Sequence, residues 1–317
     1  MKKLLGGLAT ILLLCVVAFL LRSAPIVPAA YTPPEAPPLE GVLAPNDLLQ
    51  KAELLALGRI DGPEEVALDD QGRIYGGTQG GKIMRLRRDG ELEMFADTGG
   101  RPLGMQFDRD QNLIVCDADK GLLAIDPRGN ITVLATEAGG VPFRFTDALD
   151  IAHDGTIYFT DASSKFTQRE YLYDLLESRP HGRFLRYDPA TGRTDLLLQN
   201  LYFANGVALS SKEDFVLVNE TYRYRIVRYW LKGPRAGEHE VFIDNLPGFP
   251  DNISSTRRGT FWLALFTVRN PTVDALHPHP FLKAQLAKLP KSLWPKPQPY
   301  GLVLSLDEEG RITRSLH

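Results

Sequence analysis

The sequence predicts an all-β fold of the propeller type behind an N-terminal membrane helix. Two observations carry the propeller. A strand, turn, strand unit recurs about every 40 to 60 residues beyond residue 60, and its turns hold the Gly, Asn and Asp residues that tolerate the positive φ of tight hairpins. A third observation carries the membrane helix: an uncharged run from Leu4 to Leu21 lies between Lys2-Lys3 and Arg22. About 18 apolar residues nearly cross a hydrocarbon core of ~30 Å.

Residues 1–22 are therefore read as a single-pass signal-anchor. The basic N-terminal flank favours leaving that end in the cytoplasm and placing the rest on the extracytoplasmic side. The competing reading is a cleaved secretory signal, for which only Val27-Pro28-Ala29 or Pro28-Ala29-Ala30 offers a cleavage site. Residues 23–45 form a second unit. Seven prolines between Pro25 and Pro45 predict an extended spacer that holds the body off the membrane.

Residues 46–317 are the propeller. Its inner hairpins are read at Val66–Leu68 with Gln71–Tyr75, Met105–Phe107 with Gln111–Val115, and Leu149–Ile151 with Asp154–Phe159. Two more follow at Val207–Leu209 with Glu213–Val218 and at Ile253–Ser255 with Arg258–Leu263. Most units add a second strand pair, such as Phe184–Pro189 with Thr194–Leu198, and four strands per unit at this period read as blades. A β-sandwich does not repeat such a unit.

Two insertions interrupt the repeat. Residues 165–179 carry Tyr171, Leu172, Leu175 and Leu176 at helical spacing, and residues 271–299 carry Phe281, Leu282, Leu286 and Leu289 beside four lysines. Both are expected to be short helices over one mouth of the propeller. For the second, contact with anionic lipid and a plain solvated surface are the alternatives.

At 44% hydrophobic and 24% charged the composition is that of a globular protein, and a net charge of -3 without a basic stripe argues against nucleic-acid binding. The only cysteines are Cys15 and Cys116, and Cys15 lies in the apolar run, so no disulfide within the folded body is expected. No Gly-x-Ser-x-Gly, His-Glu-x-x-His, P-loop or Rossmann glycine pattern occurs.

What the repeat does contain is oxygen. Asn205 in Tyr202-Phe203-Ala204-Asn205-Gly206-Val207 and Asp251 in Pro247-Gly248-Phe249-Pro250-Asp251-Asn252 each stand just before a short apolar strand, at equivalent places in two units. Side chains so placed converge on one axis, where a hard cation such as Ca²⁺ finds its ligands. The competing reading has them capping turns.

These two segments, together with Tyr158-Phe159-Thr160-Asp161-Ala162-Ser163-Ser164-Lys165-Phe166, Gly182–Pro189 and Glu220–Ile226, make the chain resemble the strictosidine synthase-like proteins of the gluconolactonase, senescence marker and luciferin-regenerating superfamily. The resemblance runs from about Gly58 to His317 and implies a six-bladed propeller with Ca²⁺, or another divalent cation, on its axis. It implies Glu64, Asn205 and Asp251 as metal ligands, with Glu65 as the register alternative to Glu64. A further ligand falls on Thr146, where relatives carry Asn, and a hydroxyl there is expected to alter the affinity. Relatives continue beyond the final Ser-Leu-His with another strand pair, so the last blade is expected to be truncated. The segment Asp47–Leu57 and the pair Leu302–Leu306 and Arg311–Leu316 are then left to cover an open edge. The catalytic Glu of true strictosidine synthases lies beyond that point, so their condensation is not expected.

The expected function is Ca²⁺-dependent hydrolysis of a small-molecule lactone or an aryl or alkyl ester. The ion polarises the carbonyl, and Asp251 serves as ligand and base with Asp147 as the alternative base. Ser163, Ser164 and His181 are expected to line the substrate mouth, although polar loops are common at blade ends. Asp117 and Asp119 lack the spacing of a calcium loop and read as turn residues. The competing functional class is a non-catalytic, membrane-anchored propeller that binds a ligand or protein.

Overall fold

Each expected hairpin is the inner half of a four-stranded antiparallel sheet in the computed structural model of the chain, which describes residues 2–317 apart from the side chains of residues 2–4, 6, 8, 9, 12 and 15. Blade 1 is β1 (Val66–Leu68), β2 (Ile74–Gly77), β3 (Lys82–Leu86) and β4 (Leu92–Asp97). Blade 2 is β5 (Pro102–Phe107), β6 (Leu113–Asp117), β7 (Gly121–Ile125) and β8 (Ile131–Ala135). A short hairpin, β9 (Glu137–Ala138) with β10 (Val141–Pro142), leads into blade 3. That blade is β11 (Thr146–Ile151), β12 (Ile157–Asp161), β13 (Gly182–Asp188) and β14 (Arg193–Leu201). Blade 4 is β15 (Ala204–Leu209), β16 (Phe215–Glu220), β17 (Arg225–Trp230) and β18 (His239–Ile243). Blade 5 is β19 (Gly248–Ser255), β20 (Thr260–Val268), β21 (Leu302–Asp307) and β22 (Ile312–Leu316).

The innermost strands follow one another, β1 against β5, β5 against β11, β11 against β15 and β15 against β19. Close approach at the axis leaves no room for side chains at certain positions. A Cβ on Gly206 would stand 2.5 Å from the Asp251 carbonyl oxygen, and one on Gly104 would stand 2.5 Å from that of Asp147. Between blades the second strands are buried on both faces: every residue of β6, β12 and β16 is buried. Large side chains such as Phe159, Phe184 and Phe261 are wholly enclosed, each contributing about 1.5–3 kcal/mol relative to exposure. Cys116 is a free thiol within this packing, and the side chain of Cys15 lies outside the described residues.

Three inner turns place a non-glycine residue at positive φ, Gln111 (60°), Glu213 (51°) and Arg257 (57°). Side chains stabilise the first two. Asp108 Oδ1 accepts from the amides of Asp110 and Asn112, and Ser210 Oγ accepts from those of Asp214 and Phe215.

Among the described residues there are five blades, not the six that the resemblance implies. Leu302–Leu306 and Arg311–Leu316, expected to cover an open edge, are the outer strands of a complete fifth blade. After β20 the chain leaves through the second insertion and returns to the same sheet, with Leu265 opposite Leu302. Part of the segment expected to share that task supports β22 from outside, where Leu49 N–H donates to the His317 carbonyl (2.9 Å) and Asn46 Nδ2 to that of Ser315 (3.1 Å).

The Pro-rich segment departs further from expectation. Ile26 is buried among Phe166, Leu176, Ala287 and Trp294, and Leu43 joins the main core. The amides of Ala29 and Tyr31 donate to the carbonyls of Glu177 (2.8 Å) and His277 (3.1 Å). A proline-rich extended chain makes no internal backbone hydrogen bonds, so its amides are free to bond a neighbouring surface, and here they do. The segment is a strap on the propeller, not a spacer away from it.

The expected membrane anchor also needs correction. Lys2–Leu21 form α1, most of whose described apolar side chains, including Ile11, Leu13 and Leu21, are exposed. Among the described residues no helix is long and apolar enough to cross a membrane; part of the apolar run on which the expectation rests lies outside them.

Candidate functional site

One irregularity, repeated blade after blade, builds the site. In β5, β11, β15 and β19 the pairing with the next strand breaks near the start of the inner strand: between Pro102 and Met105, Thr146 and Leu149, Ala204 and Val207, and Pro250 and Ile253. A bulge re-aims the side chains it holds. The bulged residues in blades 3, 4 and 5 include Asp147, Asn205 and Asp251. Blade 1 supplies Glu64 from just before β1, and these four side chains line one cavity of about 230 Å³ at one end of the axis.

Glu64 lines this mouth, whereas Glu65 lines a separate cavity with Gln106, Asp150 and Arg257 and accepts from the Met105 amide (3.3 Å). Successive residues of an extended chain point to opposite sides, so the neighbouring glutamates serve different cavities.

Three buried oxygens in the mouth have no hydrogen-bond partner: Glu64 Oε2, Asp147 Oδ2 and Asn205 Oδ1. Amide donors hold other oxygens around them. Asn205 Nδ2 donates to Asp251 Oδ1 (2.7 Å), Asn252 Nδ2 donates to Glu64 Oε1 (2.8 Å), and Asn219 Nδ2 donates to the Asp251 carbonyl (2.5 Å). Burial pushes the Glu64 carboxyl up to about 8, with the charge of Asp251 adding to the effect. Burial raises Asp251 to about 6 against the Asn205 hydrogen bond, and burial with the charges of Glu64 and Asp251 holds Asp147 well above the carboxylate range.

Three carboxyl groups and an amide, with unfilled oxygens, have the donor chemistry of a hard-cation site. Among the described residues, however, no group of three or more His, Cys, Asp or Glu is gathered tightly enough to hold an ion by itself. The fit rests on the amide and the unpartnered oxygens as much as on the acids.

The same cavity is lined by Leu103, Phe145, Phe203, Tyr222 and Phe266. The first insertion supplies the roof. Thr167 and Glu170 form a capping box that starts α2 (Tyr171–Glu177), and Gln168 and Tyr171 face the cavity. The second insertion forms α3 (Pro271–Leu276) and α4 (Pro280–Ala287); α4 packs on α2, so it braces the roof without lining the mouth.

Four expected residues are placed elsewhere. Thr146 is fully buried and its hydroxyl donates to the Asp117 carbonyl of the neighbouring blade (2.5 Å). Ser163 Oγ donates to Asp174 Oδ2 (2.6 Å) and accepts from the Phe166 amide. The amide of Ser164 bonds the His181 carbonyl (2.9 Å). His181 Nε2 bonds Glu177 Oε1 (2.7 Å), a carboxylate that burial would raise but that His181 and Lys165 hold down at about 2. Ser163, Ser164 and His181 organise the base of the roof, Thr146 ties blade 3 to blade 2, and none of the four lines the cavity.

Arg101 is the mouth residue that sequence reasoning missed. In Gly99-Gly100-Arg101-Pro102 it reads as a turn, and Asp117 does fix its backbone there, accepting from the Arg101 amide at 2.9 Å. Its guanidinium is buried and lines the mouth.

Comparison with known proteins agrees with this architecture. The family model described as strictosidine synthase matches residues 147–234, and that described as strictosidine synthase-like, N-terminal, matches residues 41–86. The chain is 38% identical over 325 residues to adipocyte plasma membrane-associated protein of Rattus norvegicus, covering 95% of this chain and 86% of that one. It is 36% identical over 332 residues to protein STRICTOSIDINE SYNTHASE-LIKE 10 of Arabidopsis thaliana, with the same two coverages, 95% and 86%. Among solved structures it is similar in fold to a gluconolactonase from Xanthomonas campestris (TM-score 0.61, 19% identity, 93% of this chain and 88% of that one). It is likewise similar to a calcium-binding protein, regucalcin, from Agrobacterium tumefaciens (TM-score 0.59, 14% identity, 81% and 75%).

Proposed function

From the premise that the chain belongs to the strictosidine synthase-like family, we propose that it is a lactonase-type hydrolase, dependent on Ca²⁺ or another divalent cation, acting on a lactone or an aryl or alkyl ester. The observation that supports this most is the set of buried, unpartnered oxygens on Glu64, Asp147 and Asn205 in one small cavity that aromatic side chains also line. Leaving such groups unfilled costs about 1–3 kcal/mol each, and a cation held by Glu64 and Asn205 relieves two of them. Glu64, Asn205 and Asp251 would hold it, with Asp147 beside them. When bound, the ion supplies a Lewis acid for the carbonyl oxygen.

The protein's own part is positioning and proton transfer. The aromatic lining holds the apolar body of the substrate, and Tyr171 with Gln168 restricts water from above. Asp251, raised to about 6, is deprotonated at neutral pH yet basic enough to take a proton from the attacking water. The ester C–O bond then breaks and the proton passes to the departing alkoxide. The names of the relatives support a membrane-associated setting.

A screen of lactones and aryl esters on the full chain in detergent, with and without a chelator, tests the reading. Hydrolysis that disappears with the chelator and returns with Ca²⁺ is expected. Absence of turnover on every lactone and ester, with Ca²⁺ present, would overturn it.

A further inference from the structure

Four arginines are buried among the described residues: Arg101, Arg183, Arg223 and Arg269. Three of them have acceptors for the guanidinium. Arg183 pairs with Asp161 and bonds the carbonyls of Val141 and Pro142. Arg223 donates to the carbonyls of Tyr222 and Ser178 and stacks on Tyr31 and Tyr202. Arg269 pairs with Asp274 and bonds Asn245 and the Pro34 carbonyl. Arg101 alone differs: its Nε and Nη1 are buried with no partner, although the residue is only 7% exposed.

The backbone does not leave this side chain free to seek one. Asp117 takes the Arg101 amide on Oδ1 and the Thr98 hydroxyl on Oδ2 (2.6 Å), and Pro102 fixes the next φ. A Cβ on Gly100 would stand 2.2 Å from Asp117 Oδ1, so the turn tolerates only glycine there. The acids of the mouth do not complete the guanidinium either, for Glu64 and Asp147 keep unfilled oxygens of their own. A permanently charged fork of donors, held rigidly in a cavity, is the geometry by which proteins take up carboxylates.

We propose that Arg101 is a specificity-determining residue that binds a carboxylate on the substrate, so that the natural substrate is an acidic lactone or ester with an apolar or aromatic body. The apolar part lies against Phe145, Phe203 and Tyr222, and the carboxylate reaches Arg101 on the blade 2 side, away from Asn205 and Asp251. The inference rests on the reading of this mouth as a substrate site. It adds the charge of the substrate.

Equilibrium binding separates it from the hydrolytic reading, because no turnover is needed. Calorimetry on the full chain in detergent, with chelator present, compares 2-naphthoate with the neutral, nearly isosteric 2-naphthamide. The carboxylate is expected to bind at least about tenfold tighter, a margin worth about 1.4 kcal/mol. Arg101→Gln should erase the preference and Arg101→Lys should keep part of it. Thermal melts verify that each variant is folded, and the lysine variant carries the test if the glutamine variant is not. Equal binding of the two probes by the native chain, or a preference that survives Arg101→Gln, would overturn the proposal. A carboxylate preference that depends on Arg101, in a protein that hydrolyses nothing, would sustain it while removing the hydrolase reading. Hydrolysis without the preference would do the reverse.

Discussion

Asn252 of blade 5 donates a hydrogen bond of 2.8 Å to Glu64, which precedes the first strand of blade 1. The bond joins the first and last blades of the described ring at its axis. It also occupies one oxygen of Glu64 and leaves the other, Oε2, free to face the mouth. Ring closure and site geometry therefore share one carboxylate.

Replacing Asn252 with Ala should expose that shared role. With its partner gone, Glu64 Oε1 is left unfilled in a buried place, at a cost of about 1–3 kcal/mol. A lower melting temperature is expected together with weaker Ca²⁺ binding by calorimetry. A variant that melts like the parent would show that the bond does not couple the two blades.

Asp251→Asn removes a charge and the proposed base but keeps the shape and the contact with Asn205. Turnover should fall by about 10²–10⁴, and Ca²⁺ affinity should fall with it, while circular dichroism stays that of the parent. Asn205→Ala should weaken the ion less, because it deletes a neutral ligand. Stopped-assay kinetics and Ca²⁺ titration of the two variants side by side check the order.

The raised carboxyls fix the sign of the pH dependence. Glu64 moves from an ordinary value of 4.5 to about 8 and Asp251 from 3.8 to about 6, so between roughly pH 4 and 8 the folded state holds more protons than the unfolded one. Their contribution to stability is present below about pH 4 and is lost as pH rises through 6 and then 8. With chelator, these groups should lower the melting temperature progressively from pH 5 to 8. With millimolar Ca²⁺ the loss should shrink most at the high end, because binding displaces the protons. Melts in a pH series with and without the ion provide the check.

The strap gives a separate prediction. Ile26→Ala empties a place among Leu176, Ala287 and Trp294 and should cost about 2–5 kcal/mol of local stability. Hydrogen exchange in α2 and α4 should accelerate, while the blade strands keep their protection. Uniform acceleration through every blade would mean that the strap belongs to the global core.

The blades were legible because period-two patterning and turn residues are local. All five inner hairpins fall where the alternation and the Gly, Asn and Asp residues place them. Asn205 and Asp251 stand out in the sequence by their equivalent positions in a repeat, whereas Glu64 comes only from the family resemblance; the bulges that aim Asn205 and Asp251 are a property of paired strands that one strand does not display. Thr146, Ser163 and His181 misled because a polar side chain at a blade end has the same sequence appearance whether it faces the axis or a neighbouring backbone. Arg101 was hidden for the opposite reason: the absence of a partner exists only in three dimensions. The signal available was a cation between Gly-Gly and Pro at the start of an inner strand. Nothing local marks Ile26 or Ala29 as strap residues, since their partners lie about 150 residues or more away.

That strap has a mechanical consequence. Leu21 ends α1 and Ile26 is already seated under the roof helices, so the connecting chain spans at most about 18 Å. Lys288, just past α4, reaches back to the carbonyls of Phe19 and Leu20, and Lys283 within α4 grips that of Ala29 (2.6 Å). With so little slack, a pull on α1 is delivered to the roof of the mouth before it reaches any blade, and whatever restrains α1 also sets how far that roof can lift.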